Sequence, residues 1–200
     1  MSHEIFFVWL SVAASLIRYG TYGLSIYRGK TRPHAFSWFS WGLVVAIGAY
    51  AQFRLGGGPS VWGLALVVVC CFAFSVLALF VGEKDITRGD WVSLGGAMMT
   101  IVFWKLTNSP VAALALLIVF DIFSYWPTIR KSWRDPWGEP PHSYFWAGLR
   151  YFFLLFSVPH PTASTLLYPF WLMASDWTFA TYIALRRKAL AEKKQVASTI

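Results

Sequence analysis

The sequence predicts an all-α membrane protein whose seven transmembrane helices form two parallel three-helix repeats joined by a linker helix, a 3+1+3 plan. Three observations carry this. Of 200 residues, 57% are hydrophobic, 19% aromatic and only 13% charged, far from an average soluble domain. Apolar runs recur along the whole chain, separated by short polar or breaker segments. Finally, Pro33-His34-Ala35-Phe36-Ser37-Trp38 returns 108 residues later as Pro141-His142-Ser143-Tyr144-Phe145-Trp146, whereas the preceding Ile26 and Ile129 are 103 apart. The second copy of this unit therefore carries five extra loop residues, and an internal duplication is the economical account.

The first expected span covers residues 5–27; Met1-Ser2-His3-Glu4 before it lacks the positive start of a signal peptide. Residues 36–53 form the second, closed by Gly56-Gly57-Gly58-Pro59, and 62–81 the third. A charged loop follows, in which Asp90 is placed to cap a short fourth helix over 91–107 containing Gly95, Gly96 and Ala97. Asn108-Ser109-Pro110 turns the chain into the fifth span, 111–129. A basic loop, Arg130-Lys131-Ser132-Trp133-Arg134, leads to the sixth over 144–158, and the seventh covers 166–185 before a polar tail. Domain limits follow: 1–84 and 110–188 for the repeats, 85–109 for the linker and 189–200 for the tail. An odd number of helices per repeat requires a linker to bring the second repeat back in the same orientation.

Loop charge supplies an independent check. Thirteen Lys and Arg residues of the loops and tail fall on one side of this topology, while Arg54 and Lys105 fall on the other. The chain is thus expected to be an integral membrane protein with its amino terminus outside and its carboxyl terminus in the cytoplasm. The formal charge of +8 resides in these loops and the tail rather than on an aromatic-interleaved patch, which argues against a nucleic-acid partner. Cys70 and Cys71 are adjacent within an apolar run and offer neither a disulfide framework nor a metal site.

Pro127-Thr128-Ile129 with Lys131-Ser132, together with Lys30-Thr31 and Phe36-Ser37, resembles the proline-bearing helix end and Lys-Ser loop of the SWEET and PQ-loop superfamily of seven-helix membrane proteins. The resemblance implies parallel three-helix repeats, a linker helix, an outer amino terminus and a transport function. Two departures limit it. Leu24 stands where the first motif proline would fall, and the single asparagine, Asn108, lies in a loop rather than in spans three or seven, so sugar specificity is not implied.

Four ionisable residues fall inside spans: Arg18, Asp121, Arg150 and Asp176. At a rise of about 1.5 Å per residue they lie roughly 12 to 15 Å from the cytoplasmic ends, near the middle of a core about 30 Å thick. Arg18 and Asp121 are separated by the repeat offset of 103. The expected pairs are Arg18 with Asp121 and Arg150 with Asp176, acting either as static salt bridges or as a midplane site that binds a charged group or relays a proton. Ser11, Ser15, Arg18, Tyr22 and Ser25 form a stripe at helical spacing, as do Asp121, Tyr125 and Thr128, so Tyr22 and Tyr125 join the candidates. Such stripes line a cavity or glue helices together.

Trp38, Trp41, Trp146, Tyr168 and Trp171 are candidates for stacking on a solute ring; interface anchoring is the alternative, favoured for Trp38 and Trp146. Pro127 either hinges the fifth helix or ends it. His34 and His142 read as helix-start hydrogen-bonding residues in preference to pH sensors. Enzyme signatures are absent from the sequence, and neither cofactor nor metal is expected. The partners expected are the bilayer and a small polar or charged solute moved by alternating access, with self-association into a homo-oligomer left open. The alternative function is a non-transporting receptor or scaffold of the same fold.

Overall fold

A computed structural model describes residues 2–107 and 110–197. Asn108 and Ser109 of the expected turn, and the side chains of Lys105 and Lys194, lie outside what it describes. The described residues are all-helical: α1 His3–Tyr27, α2 Ala35–Arg54, α3 Ser60–Val81, α4 Arg88–Thr107, α5 Pro110–Arg134, α6 Pro141–Leu155 and α7 Ala163–Ala197, with a short 3-10 turn at Pro136–Gly138. Two of these helices, α1 and α3, are long and apolar enough to cross a membrane by length and composition.

Local chemistry explains most of the boundaries. Gly29, at φ 68°, makes the left-handed turn that ends α1, a conformation open to glycine without strain. At α4, Thr87 precedes the helix and Asp90 lies in its first turn; the Asp90 carboxylate accepts from Thr87 N at 2.7 Å and Thr87 Oγ1 at 3.0 Å. Asp90 therefore reaches back to the helix entry from inside the first turn, as in a capping box, instead of capping from outside it. Pro141 opens α6 at a position where its missing N–H costs nothing.

Two helices run past their expected ends. The basic segment Lys131–Arg134 belongs to α5, which runs through Pro127 for nearly two further turns; Pro127 does not end the helix. α7 continues through most of the polar tail to Ala197 and contains a second internal proline, Pro169. Once a helix is anchored in a bundle, its propagation into Lys- and Arg-rich sequence is easy, because these residues have good helix propensity.

Packing is ordered in matched pairs. α3 packs mainly on α2 and only lightly on α1; α7 packs mainly on α6 and only lightly on α5. Between the two triplets, α1 packs on α6 and α2 on α5, while α4 lies against α5 and α2. Glycines allow close approaches: a Cβ at Gly48 would stand 2.1 Å from the Tyr168 ring, and one at Gly63 2.5 Å from Leu154. Trp38 is fully buried, stacked on Phe74 at 4.8 Å and beside Tyr22 at 5.1 Å, so it is a core residue and not an interface anchor.

Candidate functional site

Buried polar residues concentrate along the axis where α1, α2, α5, α6 and α7 meet. Arg18, Asp121, Arg150 and Asp176 are each at most 4% exposed and together line one small cavity, with Trp41, Tyr125 and Tyr151 among the remaining walls. Its volume is about 20 Å³, room for roughly one water molecule. On α1, Ser11, Ser15, Arg18 and Tyr22 are all buried, as are Asp121, Tyr125 and Thr128 on α5.

Neither expected ion pair forms among the described residues. The arginines are held by tyrosines: Arg150 Nη1 donates to Tyr19 Oη at 2.6 Å and Nη2 to Tyr151 Oη at 2.8 Å, while Arg18 Nη1 reaches the same Tyr19 hydroxyl at 3.4 Å. Aromatic faces complete their surroundings, with the Arg150 guanidinium 4.4 Å from the Tyr151 ring centre and that of Arg18 5.0 Å from Tyr19 and 5.4 Å from Trp38. Cation–π attraction of this kind strengthens in a desolvated setting. The carboxylates have their own donors: Tyr125 Oη donates to Asp176 Oδ1 at 2.7 Å and Trp171 Nε1 to Asp121 Oδ2 at 2.9 Å.

Buried hydrogen-bonding capacity remains on this constellation. Arg18 Nε, Arg150 Nε and Trp41 Nε1 are buried with no partner among the described residues. Trp41 packs edge-on against Tyr125 at 5.0 Å. Tyr22 does not line the cavity. Its hydroxyl points away from the cavity and donates to the Glu139 carboxylate at 3.3 Å.

Glu139 is a residue that sequence reasoning passed over. It lies at the end of the enlarged loop, is buried, and accepts from Tyr144 Oη at 3.0 Å and from Lys131 Nζ. At the opposite end, Gln52 Nε2 on α2 donates to the Thr165 carbonyl on α7 at 2.7 Å.

His34 stands at the start of α2, but among the described residues neither ring nitrogen forms a hydrogen bond, which corrects the expected hydrogen-bonding role; its Nε2 stands 3.5 Å from Asp90 Oδ2. Burial lowers its pKa below 6.5, with Arg130 and Lys131 acting in the same sense and Asp90 and Glu83 opposing. His142, at the equivalent position of the second repeat, is exposed. Nearby, Arg130 bridges Asp90 at 2.9 Å and Asp85 at 3.1 Å, and the second of these contacts holds the Asp85 carboxyl below its ordinary value. No family model, curated protein or solved structure matches the chain.

Proposed function

We propose that this protein is a seven-span membrane carrier of SWEET-like plan, moving a small polar or charged solute by alternating access around the central cavity. The observation that carries the reading is the convergence of Arg18, Asp121, Arg150 and Asp176, from four different helices, on one buried cavity without pairing to one another. A static electrostatic lock would join opposite charges directly, because removing a charge from water is costly unless a partner compensates it. Here each charge keeps a neutral partner and remains free to meet a solute or a proton.

The packing pairs support the repeat plan. α1, α2 and α3 make the same neighbour relations as α5, α6 and α7, and α4 stands outside both triplets as a connector does. The outer surface supports immersion in lipid: Trp62, Val69, Leu79 and Phe80 on α3, Leu16 on α1, Ile122 on α5 and Phe170 on α7 are all exposed apolar side chains. A volume near 20 Å³ admits no organic solute, so this conformation corresponds to the occluded step of the cycle.

The test is Asp121→Asn. A substrate is first found by thermal-shift screening of small polar solutes against the purified protein, and uptake is then followed in proteoliposomes. Uptake, or its dependence on a pH gradient, is lost in the variant while membrane insertion is unchanged. Wild-type transport by that variant counts against the site.

A further inference from the structure

We infer that Glu139 is the cytoplasmic gate residue of the carrier, an ionic latch that the second repeat possesses and the first lacks. The inference rests on the carrier reading for its biological meaning but on separate residues for its evidence. Arg18 marks the cytoplasmic side of the cavity, and beneath its guanidinium lie the rings of Trp38, at 5.4 Å, and Tyr144, at 5.9 Å. One turn further along α1, Tyr22 Oη donates to Glu139, and from α6 Tyr144 Oη donates to the same carboxylate. Lys131 at the end of α5 closes the third side, donating both to Glu139 and to the Arg32 carbonyl in the first loop. One buried carboxylate thus ties α1, α5 and α6 together at the level where a solute would leave the cavity for the cytoplasm.

The loop carrying Glu139 is itself held. Arg187 on α7 donates to the carbonyls of Pro136 at 3.0 Å and Glu139 at 2.9 Å, and the neighbouring Arg186 lies over the Trp133 ring at 4.1 Å. The repeat offset gives the contrast. By the 108-residue spacing of the Pro-His strings, the position matching Glu139 is Thr31, whose hydroxyl, among the described residues, meets that of Ser25 on α1 at 2.7 Å. A carboxylate ringed by one ammonium and two hydroxyls is strongly held while they stay together. It must shed these donors before α1 and α6 can separate, which makes the contact a latch.

The experiment reads sidedness without needing a solute. Cys71 is on the cavity wall, and in a Cys70→Ser background its modification by a charged, membrane-impermeant methanethiosulfonate reports access from either face. Vesicles of both orientations are used, assigned by protease access to the carboxyl-terminal tail. Glu139→Gln raises the labelling rate from the tail side by about tenfold or more, the population shift expected from losing a charge-assisted hydrogen bond, and leaves the opposite side unchanged. Tyr144→Phe, which keeps the packing and removes one donor, gives a smaller change on the same side. A cysteine at Val45, also on the cavity wall, must report the same pattern. Rates within about twofold of the parent at both cysteines, no labelling at either, or a rise of equal size from both faces overturns the latch; these thresholds are set against the tenfold expected for a single charged contact. Absent solute uptake with the sided change intact removes the carrier reading alone.

Discussion

Tyr19 shows what a single hydroxyl does in this core. Its oxygen accepts from Arg150 at 2.6 Å and Arg18 at 3.4 Å, so both buried guanidiniums depend on it. Tyr19→Phe strips an acceptor from both and is expected to cost about 1–3 kcal/mol of stability, measured by thermal or denaturant unfolding in detergent; an unchanged midpoint would show that the arginines are satisfied otherwise. The spacing rule that picked out Arg18, Asp121, Tyr125 and their stripes passes over Tyr19 and Tyr151, because neighbours in sequence do not share a helix face. Long guanidinium arms reach round to them anyway. His34 provides the pH-dependent term at this scale. Its folded pKa lies below the ordinary 6.5, so the unfolded chain binds more protons in the window beneath that value, and the stability it contributes above 6.5 is lost as pH falls through the folded pKa. Asp85, whose carboxyl titrates below 3.8, lies outside that window. Unfolding midpoints measured between about pH 7.5 and pH 5.5 should fall in the parent and fall less steeply in His34→Gln, with His142, whose pKa burial also lowers, adding to the slope that remains; equal slopes would remove His34 as a cause.

At the scale of elements, the two internal prolines make different demands. Pro169 has no N–H to offer the carbonyl of Thr165, four residues earlier, and Gln52 from α2 supplies the donor instead at 2.7 Å. The other atom of that amide, Gln52 Oε1, is buried without a partner among the described residues, so the side chain is there for its donor. Gln52→Leu is expected to cost about 1–3 kcal/mol by leaving the carbonyl bare. In a Pro169→Ala background the helix repairs its own ladder and the same substitution costs less; a double-mutant cycle with no coupling would refute the link. Helix positions are legible because apolar runs and breakers bracket them, whereas a charged run such as Lys131–Arg134 looks the same in sequence whether it forms a loop or the last turns of a helix. Glu139 had only one signal, the five extra residues of the second loop. No periodicity says where a loop side chain points.

At the scale of the whole molecule, the matched neighbour relations of the two triplets create a bundle whose ends are each closed by a different device. At one end it is Glu139 with Tyr22, Tyr144 and Lys131; at the other Gln52 meets Thr165, and Tyr168 fills the space left by Gly48. The matched motifs Pro33-His34 and Pro141-His142 are legible in the sequence, yet the pairing inside the cavity is not, because which opposite charges meet depends on helix rotation that sequence spacing leaves free. Alternating access requires the two ends to open in turn. The most direct measurement is a pair of electron spin–spin distances, one between labels at Arg28 and His142 across the end that holds Glu139, the other between labels at Arg54 and Thr162 across the opposite end, all exposed positions. A carrier yields two populations at each end, and conditions that lengthen one distance shorten the other. A single, invariant distance at both ends, with and without a pH gradient, describes a static bundle and contradicts the account.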